Sequence, residues 1–184
     1  MSTPAPTSSV ASSLRQLYFI RFGFAIAWAA VVFIVGSSLS PLTATLLVLY
    51  PLVDAAAAVV DFRSSRAAGS PVALLYANMA LSFAAAVGLA IAATAGAPMV
   101  LRVWGAWALT AGLVQLILGV RRRALGGQWV LIVSGGLSVL VGFAFIAMAG
   151  GSSASLSSLG GYAALGGIFF LISALRLRRA TRSV

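Results

Sequence analysis

The sequence predicts an all-α integral membrane protein: six transmembrane helices, arranged as three parallel two-helix repeats about a pseudo-threefold axis along the membrane normal. Three observations predict it. Six runs of about 20 apolar residues, each long enough to cross a bilayer as a helix, are separated by short polar connections. The 184 residues are 61% hydrophobic and 8% charged, with mean hydropathy +1.09. A soluble domain needs roughly a quarter of its residues charged to keep its surface wet, so the solvent here is largely lipid. Finally, the chain repeats itself every 55–58 residues.

The spans follow in order. Residues 1–14, MSTPAPTSSVASSL, are polar and carry no early basic residue; they do not read as a cleavable signal and are expected to form a disordered cytoplasmic tail. The first span is placed at 17–36, before the turn GSSLSP at 36–41. The second, at 42–60, ends in RSSRAAGSP at 63–71. The third, at 72–95, stops at AGAP, and the fourth, at 103–120, stops at RRRALGG over 121–127. The fifth and sixth, at 129–149 and 159–175, flank GGSSASLSSLGG at 150–161. In hydrocarbon the backbone must satisfy its own hydrogen bonds, which leaves helix as the state of all six.

Arginine sets the orientation. Arg15, Arg63, Arg66, Arg121, Arg122, Arg123, Arg176, Arg178, Arg179 and Arg182 fall at one end of the spans, and Arg102 alone at the other. Short loops rich in arginine stay cytoplasmic, so both termini are expected inside. Tyr18 and Trp129 near the inner interface and Trp104 near the outer one read as aromatic belts.

The repeat divides residues 15–180 into units of approximately 15–66, 67–123 and 124–180. Tyr50-Pro51, Trp107-Ala108 and Tyr162-Ala163 recur in the even spans, each followed by Arg63, Arg121 or Arg176. In the odd spans Arg21, Asn78 and Ser134 correspond. Four and eight residues further on come Ala25 and Ala29, Ser82 and Ala86, Ser138 and Gly142. Residues four apart share a helix face, so each odd span carries a small-residue stripe suited to close packing in lipid. Ala55, Gly112 and Gly167 offer matching small faces on the even spans.

Composition excludes most chemistry. With no Cys, His or Lys and with Asp54 and Asp61 as the only carboxylates, thiolate and imidazole metal sites, Cys nucleophiles, His bases and Schiff-base lysines are all absent. No catalytic residue, metal ligand or cofactor is expected, and no enzyme. The net charge of +10 is spread over short clusters beside apolar segments, which points to anionic lipid headgroups and not to nucleic acid. Beyond the bilayer, a homo-oligomer or a membrane-protein partner fits.

The chain resembles the HdeD-type family of bacterial acid-resistance membrane proteins, whose module is a repeated pair of membrane helices. The residues that carry the likeness are Arg21, Tyr50-Pro-Leu-Val-Asp54, Trp107-Ala-Leu-Thr-Ala-Gly112, Ser134-Gly-Gly-Leu-Ser-Val139 and Gly161-Tyr-Ala-Ala-Leu-Gly-Gly167. Members of that family commonly carry a small residue in place of Pro51 and glutamates near Asn78 and Gln115, which are amides here. The resemblance implies a bacterial inner-membrane protein linked to acid or general stress. It implies no reaction.

Arg21 and Asp54 are the charges well inside the expected spans, at depths of roughly 6 and 9 Å at about 1.5 Å per residue. They can meet. Pairing offsets much of the roughly 2.5–3.5 kcal/mol that a lone charge costs at a helix centre. The pair reads as a clamp between the first two spans or as a protonation switch; failing both, Arg21 snorkels and Asp54 turns to Asn78 or Tyr50. Asn78, Gln115 and Ser134 are candidate polar lining. Asp61 is expected to form a solvated surface pair with Arg63. Two other functions stay open: a small transporter or channel using the Arg21–Asp54 region, with Pro51 breaking the second span, or an accessory subunit docking through Ala84, Gly88 and Ala92.

Overall fold

In the computed structural model the apolar runs become six long helices. It describes residues 6–67, 69, 72–125, 128–151 and 154–180. The helices are α1 (Pro6–Val35), α2 (Pro41–Ala67), α3 (Ala73–Ala92), α4 (Ala97–Arg121), α5 (Trp129–Met148) and α6 (Ser157–Ala180), with a 3₁₀ turn at Arg123–Leu125. All six are long and apolar enough to cross a membrane. Only 28–33% of the most apolar stretch of each is buried inside the bundle, and Phe33, Ile34, Phe83, Ile91 and Leu140 stand exposed on its outside. Water would drive such an exterior to aggregate, whereas lipid solvates it. This is a multi-pass membrane protein.

Helix ends follow local chemistry. Ser40 Oγ accepts the Thr43 N–H at 3.1 Å, capping α2 while Pro41, in its first turn, needs no N–H partner. Thr43 donates back to the Val35 carbonyl at 3.2 Å and fixes the α1–α2 turn. Gly96, at φ 98°, precedes α4 in a conformation that favours glycine.

Two helix starts and the course of α2 differ most from expectation, and α2 also runs past the expected residue 60 to Ala67. Helix α1 reaches back to Pro6, into the stretch expected to be a disordered tail, because residues 6–14 contain no glycine and Pro6 occupies a first helical turn, where proline is tolerated. Leu14 is already buried. Residues 1–5 of that tail, and Arg182, lie outside the described residues. Helix α4 starts at Ala97, ahead of Arg102, whose exposed side chain is long enough to reach the polar boundary from within a helix. Nor does Pro51 break α2, which runs on through it; the cost is confined to the Leu47 carbonyl, left without its helical donor.

The helices close a ring in chain order, α6 packing back against α1. The most extensive interfaces are α4/α5, α1/α6 and α2/α3. Glycine makes the first of these. A Cβ on Gly112 would lie 2.9 Å from the Gly135 carbonyl oxygen, and one on Gly142 would lie 2.7 Å from that of Gly105. At α1/α6, a Cβ on Gly167 would meet Ala25 at 3.1 Å, and one on Gly160 the Ala29 carbonyl at 3.3 Å. Lipid offers no hydrophobic drive for helix association, so dispersion at close backbone approach is the main attraction.

Two of the three expected belt aromatics belong to the interior. Trp104 is fully buried and Tyr18 nearly so, since the ring needs large rings to fill its centre. Trp129 stays exposed, with the Arg176 guanidinium 4.5 Å over its ring. The small face expected on α3 is largely used too: Ala92 is buried and Gly88 packs against Val103 of α4, leaving Ala84 outside.

Candidate functional site

Helix α2 presents Asp54, Ala58 and Asp61 on one face, as residues four and seven apart must lie. That face looks into a cavity of about 100 Å³ in the arginine-rich half of the bundle, to which all six helices contribute. Asp54 is the centre of a network there. One oxygen accepts from the Arg21 guanidinium of α1. The other accepts from Asn78 Nδ2 at 2.9 Å and from the Ser82 hydroxyl at 2.7 Å, both on α3. The Trp107 indole of α4 donates to Ser82 Oγ at 3.1 Å. Every direct partner of Asp54 is a donor, the environment an acceptor-only carboxylate requires. Arg21 is held from its other side by the Phe170 ring of α6, 4.1 Å away. One carboxylate thus ties four helices together directly or through one further bond, and a fifth through Arg21.

A second ion pair closes the arginine-rich end. Arg122, in the turn after α4, donates to both oxygens of Asp61 at 3.1 and 3.2 Å and to Ser65 Oγ at 2.9 Å. Ser65 itself donates to Asp61 at 2.8 Å. The expected Asp61–Arg63 surface pair is therefore replaced by a buried Asp61–Arg122 clasp. Positions two apart on a helix point to different faces, so Arg63 turns outward as Asp61 turns in; Arg63 is exposed and Asp61 buried.

The wall between the two pairs is polar but lightly bonded. Tyr162 and Ser138 share a hydroxyl contact at 3.1 Å, and Gln115 reaches the Leu131 carbonyl at 3.4 Å. Ser134 and Tyr50 also line it. Away from the arginines, the bundle is filled by the rings of Trp28, Tyr50, Trp104 and Trp107, with centroids 4.7–6.0 Å apart. The Trp28 indole donates to the Leu46 carbonyl at 2.7 Å, while the buried Trp104 N–H has no partner among the described residues.

Arg21 and Asp54 meet as their depths in the sequence suggest, and Asn78, Gln115 and Ser134 all reach the same cavity. Arg21 does not snorkel away. Unforeseen were Trp107, Ser138 and Tyr162 on the wall and Ser82 as a partner of Asp54, although the recurrence of Tyr50, Trp107 and Tyr162, and of Ser82 and Ser138, along the sequence was a usable signal. Nothing in the sequence signalled the Asp61–Arg122 pairing. Asp54 and Asp61 are committed to different arginines, and no group of three His, Cys, Asp or Glu side chains comes together among the described residues.

No family model, curated protein or solved structure matches the chain, so the reading of this site rests on its own geometry.

Proposed function

We propose that the chain is a non-enzymatic protein of the HdeD type, serving acid or general stress resistance in a bacterial inner membrane with both termini cytoplasmic. The stress role and the family rest on the sequence resemblance, and the topology rests on the arginine asymmetry. The non-enzymatic reading is carried by one observation: the two carboxylates that face the cavity are each held by an arginine. Asp54 is engaged by Arg21, Asn78 and Ser82, which leaves no general base beside a nucleophile. In this reading the Arg21–Asp54 pair is first a clamp between α1 and α2; its alternative role is a switch in which loss of the Asp54 charge would release Arg21.

A pseudo-threefold arrangement of two-helix repeats is part of the same proposal. Its support is that equivalent positions line one cavity: Arg21, Asn78 and Ser134 from the odd helices, Tyr50, Trp107 and Tyr162 from the even ones. The most extensive helix pairs, α2/α3, α4/α5 and α6/α1, are also the ones that would be related by such an axis.

The test is survival of acid challenge in a deletion strain carrying wild type, Asp54→Asn or Arg21→Gln, with membrane levels measured in parallel. A clamp predicts that protection follows protein level. Loss of protection at normal levels would mean that the pair itself does the work.

A second reading, a small transporter or binding protein, is favoured by the cavity of about 100 Å³, because the polar side chains on its wall can receive a polar guest.

A further inference from the structure

We propose that the cavity is a hydrated, dead-ended binding pocket, entered from the arginine-rich end, for a small uncharged polar solute of the amide or polyol class. This rests on the second reading above and adds the ligand class and the entrance.

Size comes first. The cavity of about 100 Å³ is well above what one water requires and holds several waters, or a small solute of comparable bulk. Its wall has hydrogen bonds to give. The Tyr162–Ser138 contact consumes one of two hydroxyl protons, and the Gln115 contact is made by the amide nitrogen, so the amide oxygen is not used in it. Buried polar groups with spare capacity draw in water or a polar guest.

Charge decides the class. The two carboxylates on the wall are each matched by an arginine, Asp54 by Arg21 and Asp61 by Arg122. An ion entering this low-dielectric space would find no opposite charge left to receive it and would lose its hydration. An uncharged solute loses far less and gains the free donors and acceptors.

Geometry decides the entrance. The packed rings of Trp28, Tyr50, Trp104 and Trp107 seal the far side. At the near side the cavity reaches Asp61, where Arg122 ties α2 to the end of α4. Freeing Arg122 from Asp61 and Ser65 removes the tie over the mouth.

The chain has no cysteine, so Ser134→Cys on the cavity wall gives a unique reporter in the full-length protein in proteoliposomes. Uncharged methyl methanethiosulfonate is expected to modify it at least about tenfold faster than the trimethylammonium-bearing analogue, with both rates normalised to Ser13→Cys, exposed at the same arginine-rich end. Adding Asp61→Asn should raise the uncharged rate about tenfold, the population shift expected from losing one charge-assisted hydrogen bond. Acetamide or glycerol should slow it, whereas tetramethylammonium and acetate should not. If Ser134→Cys reacts but only the ions protect it, the pocket stands and the uncharged class is overturned. If Asp61→Asn leaves the rate unchanged, the entrance is overturned. If Ser134→Cys stays unmodified in both backgrounds, yet reacts fully once denatured, the binding-pocket reading falls, and this inference with it.

Discussion

Two adjacent glycines on α5 should respond in opposite ways to the same substitution. A Cβ on Gly135 would stand 2.6 Å from the Leu116 nitrogen, 2.8 Å from the Gly112 carbonyl oxygen and 2.9 Å from the Leu116 Cα. All three are backbone atoms of α4, so no side chain can turn aside. Ordinary contact begins near 3.4 Å, and the helices must therefore part by about 0.8 Å at this point. A gap of that size forfeits about a quarter to a half of each contact's 0.1–0.2 kcal/mol. If the loosened seam holds as many atom pairs as one buried leucine, about 40–60, the loss is about 1–6 kcal/mol, near 3 at the midpoint, which matches the upper end of the usual cost of overpacking. Alanine's helical preference over glycine returns about 0.8–1 kcal/mol, leaving Gly135→Ala destabilised by about 2 kcal/mol at the midpoint. A Cβ on Gly136 meets nothing within 4 Å, so Gly136→Ala keeps the preference and gains up to about 1 kcal/mol. Reversible unfolding in mixed micelles by added dodecyl sulfate, followed by circular dichroism, measures both. A difference between the two variants under about 0.5 kcal/mol, well below the clash energy, would refute the backbone seam.

Three further outcomes follow from the ion pairs and the indoles. Asp54→Asn leaves Arg21 without its carboxylate and should cost about 3 kcal/mol in the same titration, whereas Arg21→Met with Asp54→Leu should recover most of that loss. Arg122→Gln should cost about 1.5–3 kcal/mol, the worth of a hydrogen bond to a charged group, and proteolysis near residues 63–69 should speed up as the end of α2 loosens. Trp107→Phe removes the donor to Ser82 and should cost about 1 kcal/mol beyond the lost ring area; adding Ser82→Ala should then cost less than Ser82→Ala alone, because only its hydrogen bond to Asp54 remains to be lost, and fully additive costs in the double variant would contradict the network.

Membrane spans were legible because twenty apolar residues have one stable form in lipid, and all six helices overlap the expected stretches closely. The Arg21–Asp54 pair was legible because few charges enter the spans and helix rise places both at similar depth. Boundaries were less so. Arg102 and the polar stretch before Leu14 looked like helix ends, yet a long side chain or a glycine-free polar run can continue a helix past the apolar core.

By itself, then, the sequence determined the number of helices, their sidedness in arginine and which buried charges had to find partners, since these follow from local transfer energies and from distance along the chain. The small-residue stripe read from the sequence did mark part of the inward face, since Ala25, Ala29, Ser82, Ala86 and Gly142 are buried, but the tertiary structure alone decided where the large side chains go. In lipid both faces are apolar, so hydropathy could not tell Trp104 at the centre from Trp129 at the rim, nor Gly135 in the seam from Gly136 beside it. Asp61 found Arg122 rather than Arg63 for the same reason: its partner is set by which helices meet around the ring, a property of packing that no local stretch of chain contains.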